Sequence, residues 1–238
     1  MLALIEQLRE FETALIAEAM GALGCPDPQE YYTNSDIGLV TSNQGLVAGA
    51  AITLEADTST PGNVPYGEDY WECLARVERS ELPAVLVIKA LGARLKHECL
   101  CGDGMCKILS AAGCAAIVAD GPVRDVEGIN RTDITVFATG TVSNHASMIY
   151  RLSKGPVNIG GVLIANGELL AGDRDGLIKV PKTYQPAIVE ACMLSRDFET
   201  RVHTHWRRSD KTLVEKREYV TELAKKRAAA CRRLPKGD

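Results

Sequence analysis

Pro83-Ala-Val-Leu-Val-Ile88 and Ala115-Ala-Ile-Val-Ala119, the second running into Asp120-Gly121, decide how this chain folds. Each run is continuously apolar, and the first is bounded by Pro83 and Gly92. Runs this short and this apolar fit strands buried on both faces of a sheet. Between them, Gly102 to Ala112 reads as a helix, so the whole stretch is a β-α-β unit.

Reading outward from that unit, Ile134 to Ala138 gives a further strand. Val162 to Ile164, Glu168 to Ala171 and Leu177 to Val180 give short strands joined by Gly, Asn and Asp turns. On the N-terminal side, Leu46 to Ala56 is a glycine-containing β stretch whose small residues suit close sheet packing. Leu4, Leu8, Phe11 and Leu15 fall at helical spacing, and Thr13 is placed to cap a second helical stretch, Ala14 to Leu23, stopped by Gly24-Cys-Pro-Asp-Pro28. After the loop Thr60 to Pro65, Tyr70, Leu74 and Val77 set a helix over Asp69 to Arg79. Pro181 ends the sheet, and helix resumes from about Gln185. These elements predict one α/β domain over residues 1–205 and a basic helical extension over 206–238, with Leu213, Val220, Leu223 and Ala224 on one side of it.

The chain has 238 residues, 46% hydrophobic and 24% charged, which excludes disorder, collagen and small disulfide scaffolds. The length suffices for a core without disulfides or structural metal. No run approaches the ~20 apolar residues of a membrane span, and Glu6, Arg9 and Glu10 interrupt any signal-peptide pattern, so a cytoplasmic protein is expected. Net charge is −4, but residues 207–238 hold 11 Lys/Arg against 5 Asp/Glu, a local +6 that leaves −10 for residues 1–206. An acidic body argues against a nucleic-acid-binding core. The interleaved Glu215, Glu218 and Glu222 suit a solvated, salt-bridged helix serving assembly rather than RNA binding.

Cys99, Cys101, Cys106 and Cys114 cluster downstream of His97, but their spacing fits no zinc or iron–sulfur pattern. The expectation is reduced cysteines acting as small buried hydrophobes. Chemistry is expected instead where buried strands end. A helix opening at Gly102-Asp103-Gly104-Met105 presents unpaired backbone N–H groups to a carboxylate, and the glycines allow close approach. Asp103 and Asp125, with Arg124 between them and an anion, make an oxygen site for Mg²⁺ or Mn²⁺. The structural alternative stands beside it: Asp103 as an N-cap, and Arg124 paired with Asp125 or Glu127. His145 and Lys107 are lesser candidates, as general base and Schiff-base amine.

Asp103, twenty intervening residues, then Arg124-Asp125 resembles the D-x20-R-D pattern of the class II pyruvate aldolases related to the RraA proteins, the 4-hydroxy-4-methyl-2-oxoglutarate/4-carboxy-4-hydroxy-2-oxoadipate aldolase group. Ala111 to Asp125 and the stretch ending Gly172-Asp-Arg-Asp-Gly-Leu-Ile-Lys-Val-Pro181 are similar to that family's strand-and-loop segments. The resemblance implies a swivelling β/β/α domain with a mixed sheet, a homo-trimer or homo-hexamer, and cleavage of a 4-hydroxy-2-oxo acid to pyruvate, with oxaloacetate decarboxylation as a related activity. It implies that Asp125 binds the divalent metal, that Asp103 holds metal-bound water, that Arg124 contacts the pyruvyl oxygens, and that the backbone of Gly102, Asp103, Gly104 and Met105 grips the substrate. Glu199 of a neighbouring subunit is a further metal-site candidate by the same resemblance.

The resemblance also implies a rival reading, a non-catalytic RraA-type regulator binding a protein such as a ribonuclease. Regulator-type members tend to lack the aspartate that stands here as Asp125. The chain departs from the pattern in places: Asn166-Gly-Glu168 replaces the usual turn before the last strands, Gly104 follows Asp103 where a larger residue is common, the loop Thr58 to Tyr70 has no counterpart, and the basic extension after Trp206 is longer than the pattern requires.

Overall fold

The computed structural model describes residues 1–238 except 27–29, 43–44, 59–65, 93, 146 and 238. The expected loop Thr60 to Pro65, and the end of the turn after Gly24, therefore lie outside the described residues. The helices are α1 (Leu2–Leu8), α2 (Thr13–Ala22), α3 (Glu68–Glu78), α4 (Asp103–Ala111), α5 (Val126–Ile129), α6 (Ile188–Trp206) and α7 (Leu213–Cys231). The strands are β1 (Gly38–Leu39), β2 (Val47–Asp57), β3 (Ala84–Leu91), β4 (Cys114–Ala119), β5 (Thr135–Ala138), β6 (Ile149–Leu152), β7 (Val157–Ile159), β8 (Val162–Ile164), β9 (Leu169–Asp173) and β10 (Gly176–Val180). Contacts divide the chain into two compact units, residues 1–13 with 29–180, and residues 14–28 with 181–238.

The first unit is built on a mixed sheet of order β1-β5-β4-β3-β2-β9-β10, with β6 also on β2. β2, β3, β4 and β5 run parallel, and β1, β6, β9 and β10 pair antiparallel. The apolar runs of β3 and β4 have no polar face because both faces are covered. Leu86, Ile88, Ile117 and Ala119 pack with Tyr70, Leu74 and Val77 of α3 and Cys106 and Leu109 of α4. Val85, Val87, Ala116 and Val118 point the other way, onto Val157, Ile159, Val162 and Ile164 of the β7-β8 hairpin. Hairpin, sheet and helices form the β/β/α layering expected from the resemblance. Each fully buried Leu or Ile in these layers contributes about 1.5–3 kcal/mol.

Three strands escaped the sequence reading: β1, β6 and β7. The eleven-residue β2 explains the second of them. Its edge opposite β3 is shared, with Val47 to Ala50 pairing β9 and Leu54 to Asp57 pairing β6. At the handover, the Thr53 backbone N–H donates to Asn166 Oδ1 at 2.9 Å. The departing turn is thereby built into the sheet, with Glu168 Oε2 accepting from the Ala165 N–H at 2.8 Å.

Two further expectations are corrected. Thr13 does not cap the helix that follows it; it is the first helical residue, and its N–H and hydroxyl both donate to the buried Asp173 carboxylate at 2.7 and 2.6 Å. The helical spacing from Leu4 to Leu15 spans two helices, because α1 ends at Leu8.

In the second unit, the Thr212 hydroxyl accepts from the Glu215 N–H while the Glu215 carboxylate accepts from the Thr212 N–H, closing a capping box at the start of α7. Leu213, expected on the apolar side of this helix, is exposed; the buried residues of α7 are Leu223, which was expected there, and Cys231, which was not. Arg227 of α7 pairs with Glu18 of α2 and lies over the Phe198 ring of α6. Among the described residues, no helix is long and apolar enough to cross a membrane.

Candidate active site

The ends of β3 and β4 deliver two loops to one place. Leu100 N–H donates to the Pro122 carbonyl at 2.9 Å and Arg124 N–H to the Cys101 carbonyl at 3.1 Å, so Cys99–Gly102 runs beside Pro122–Asp125. Their close approach depends on glycine at two points. A Cβ on Gly102 would stand 3.0 Å from Asp125 Oδ2 and 3.5 Å from Arg124 Cγ, and one on Gly128 would stand 2.7 Å from Asp103 Oδ2. Asp125 itself has φ 59, the one non-glycine residue with positive φ among those described, a conformation aspartate tolerates better than most.

The loops enclose a cavity of about 150 Å³. Gly102, Asp103, Gly104, Met105, Arg124 and Asp125, all six residues expected at the site, line it. Gly102 is the N-cap of α4, and the first helical turn, Asp103 to Met105, lines the cavity. Asp103 is therefore the first helical residue rather than the cap. Its Oδ2 accepts from Lys107 Nζ at 2.5 Å, and that ammonium holds the Asp103 carboxyl below its ordinary range. This pairing also accounts for Lys107, which is exposed and salt-bridged rather than desolvated as a Schiff-base amine would need. Arg124 Nε lies 3.2 Å from Asp125 Oδ2, the ion pair foreseen by the structural alternative.

The buried part of the lining is mostly apolar. Met148 and Tyr150, neither singled out in the sequence, line the cavity with Tyr66, Leu100, Cys99 and Cys101, and His145 completes it. The Tyr150 hydroxyl donates to the Leu100 carbonyl at 3.0 Å, and burial pushes this phenol well up. Its ring lies 5.2 Å from that of Tyr70, whose phenol burial pushes up to about 12. All eight cysteines are free and buried. Cys101 is raised by its hydrogen bond with Cys106, 3.5 Å away, and by burial; burial lifts Cys73 to about 12 and Cys114 to about 11. Such thiols stay protonated, which suits packing and disfavours thiolate ligation.

The donor set fits a hard cation. No cluster of three His, Cys, Asp or Glu able to hold a metal exists among the described residues. Mg²⁺, however, keeps several waters and takes only one or two carboxylates, and Asp103 and Asp125 supply two at one cavity. Glu199 lies on α6 in the second unit, where burial and a hydrogen bond with Glu18 push its carboxyl up.

A family model described as RraA-like, Aldolase/RraA, matches residues 13–179. The chain belongs to the RraA-like family. This RraA-like chain is 26% identical over 168 residues to an uncharacterized protein of Methanocaldococcus jannaschii, covering 68% of this chain and 74% of that one. It is 29% identical over 108 residues to a Halalkalibacterium halodurans protein provisionally named 4-hydroxy-4-methyl-2-oxoglutarate aldolase, covering 44% of this chain and 50% of the relative. The chain thus spans about half the length of that relative. Among solved structures, Streptomyces coelicolor RraAS2, described as an unusual member of the RNase ES inhibitor RraA protein family, is 26% identical with TM-score 0.64, covering 87% of this chain and 96% of that one. A Pseudomonas syringae protein at 21% identity and TM-score 0.67 shares the fold over 91% of this RraA-like chain and 93% of its own length.

Proposed function

We propose that the chain is a divalent-metal-dependent lyase that cleaves a 4-hydroxy-2-oxo acid and releases pyruvate, with oxaloacetate decarboxylation as a second use of the same site. The observation that carries this reading is the meeting of Asp103, Arg124 and Asp125 at one cavity beside the N-terminus of α4. Membership of a family that includes aldolases supports it.

In this reading Asp125 holds Mg²⁺ or Mn²⁺ directly and Asp103 holds it through water, and the ion supplies Lewis-acid polarisation of the 2-oxo carbonyl. The chain's own residues do the rest. The N–H groups at the start of α4 hold the substrate carboxylate against the positive end of the helix. The Arg124 guanidinium is aimed at the 2-oxo oxygen. Negative charge grows there as the C3–C4 bond breaks, so this interaction strengthens most in the transition state. Asp103, whose Oδ2 accepts from Lys107 Nζ, takes up the 4-hydroxyl proton through water.

The test is pyruvate release from a panel of 4-hydroxy-2-oxo acids and oxaloacetate, with Mg²⁺, Mn²⁺ or EDTA. Release with metal and none with EDTA is expected. A blank across the panel sinks the lyase reading and leaves the non-catalytic, protein-binding regulator. We further propose a homo-trimer or homo-hexamer in which the basic α7 segment serves assembly. Truncation after Trp206 then changes the sedimentation profile, whereas salt-sensitive RNA binding lost on truncation would contradict it.

A further inference from the structure

Oxaloacetate carries two carboxylates, and the groups assigned above account for one. The start of α4 takes the carboxylate beside the 2-oxo group, and Arg124, 3.2 Å from Asp125 Oδ2, is aimed at the 2-oxo oxygen. The carboxylate at the far end needs an N–H or O–H donor of its own, because a charged group that leaves water without one is strongly penalised.

Among the described residues of the lining, the side-chain donors besides Arg124 are two thiols, two phenols and the His145 imidazole. The thiols are buried, weak donors turned to backbone, Cys99 Sγ to the Cys101 carbonyl at 3.0 Å and Cys101 Sγ to the Gly102 carbonyl at 3.6 Å. Tyr150 gives its single hydroxyl proton to the Leu100 carbonyl at 3.0 Å. Tyr66 is exposed, its ring meeting that of Tyr70 edge to face at 5.1 Å. His145 differs from these in chemistry and in placement. An imidazole donates one N–H when neutral and two, with a positive charge, when protonated. Its place is fixed through the backbone: residue 145 forms a parallel bridge with Cys99, at the head of the loop that carries Gly102. Three residues on, Met148 is buried in the same lining, whereas His145 is exposed, where the outer end of a ligand lies rather than its reacting carbons.

We propose that His145 is a specificity-determining residue that binds the distal carboxylate of a 2-oxo diacid. The proposal rests on the lyase reading and adds to it the residue that selects diacids over monoacids. The role is binding, not proton transfer. In oxaloacetate decarboxylation the C3–C4 bond breaks and its electron pair forms the pyruvate enolate, which takes a proton from water, while the distal carboxylate departs as neutral CO₂. A donor held on that carboxylate therefore stabilises the ground state more than the transition state. In aldol cleavage of a diacid the distal carboxylate keeps its charge, and the donor serves both states alike. Loss of the donor accordingly appears in KM and not as a fall in kcat.

The experiment measures binding and turnover separately on the full chain with Mg²⁺. Calorimetry compares 2-oxoglutarate, a diacid with no 4-hydroxyl to cleave, with 2-oxopentanoate, which has a methyl group in place of the distal carboxylate. The wild type should bind the diacid about ten-fold tighter, the size of one hydrogen bond to a charged group. His145→Ala should bring the two acids within about two-fold of each other, and Tyr66→Phe should keep the preference. With oxaloacetate, His145→Ala should raise KM by about the same ten-fold without lowering kcat. A wild type that does not distinguish the two acids overturns the proposal, as does a preference that survives in His145→Ala or is lost in Tyr66→Phe. A fall in kcat on His145→Ala also overturns it, making His145 a participant in proton transfer. A diacid preference that depends on His145, without turnover of any substrate, upholds the binding role and sinks the lyase reading; no binding of either acid sinks both.

Discussion

The two halves of the cavity are held in different ways. The rim, Asp103, Arg124 and Asp125, is partly exposed and positioned by backbone: an unusual φ at Asp125, a helix start at Gly102, and a glycine at 128 that leaves Asp103 its place. The rear wall, Met148 and Tyr150, is buried and positioned by packing and one committed hydroxyl. Substitutions at the rim should therefore change rate with little change in stability. At the wall they should change stability and substrate preference with little change in the rate constant for an accepted substrate.

The largest effect is expected from Asp125→Asn. The amide tolerates the left-handed backbone, so the fold should persist by circular dichroism and thermal melting, while metal-dependent lyase turnover falls at least a hundred-fold. Retention of more than about a tenth of wild-type kcat, a loss under ~1.4 kcal/mol, would remove Asp125 as the direct ligand. Arg124→Lys comes next. Lysine keeps the charge but loses the planar fork, and kcat should fall about 10²-fold with metal affinity unchanged. A normal kcat would mean that only the positive charge matters.

Gly128→Ala tests whether backbone placement governs the rim. Its Cβ would meet Asp103 at 2.7 Å, so Asp103 or α5 must shift. The expected outcome is a lowered kcat together with a stability loss of about 1–3 kcal/mol in urea unfolding, as for other overpacked sites. The smallest effect belongs to Tyr150→Phe, which deletes one buried hydrogen bond to the Leu100 carbonyl. It should cost about 0.5–1.5 kcal/mol of stability, and more if the carbonyl is left unpaired, with kcat changed less than about two-fold. A hundred-fold loss of kcat there would break the comparison by making the tyrosine a participant in the chemistry.

The same contrast governs how much was legible in the sequence. β3 and β4 announce themselves because strands covered on both faces read as apolar runs, interrupted in β3 by Lys89 alone. Asp103, Arg124 and Asp125 are legible because each directly follows such an element or opens a helix, and their spacing resembles a family motif. Tyr150 and Met148 were not. β6 is only four residues long, includes the exposed Arg151, and exists because Leu54 to Asp57 of β2, nearly a hundred residues earlier, pairs with it. β1, two residues pairing with Phe137 and Ala138, is equally invisible locally. The missed cap at Thr13 has the same origin, since its partner Asp173 lies 160 residues away. Local signals thus reveal the rim, and the wall, made by long-range pairing, emerges only from the fold.

The central claim is that the rim alone stabilises negative charge on a 2-oxo oxygen, whatever lies against the wall. Exchange of the methyl protons of pyruvate for deuterium in D₂O, followed by NMR, tests this without any cleavable substrate. With Mg²⁺ or Mn²⁺ the wild-type chain should catalyse exchange. EDTA, Asp125→Asn and Arg124→Ala should each abolish it, and Tyr150→Phe should leave it intact. Wild-type protein that shows no exchange in the presence of metal, or Arg124→Ala protein that exchanges at the wild-type rate, would contradict the account.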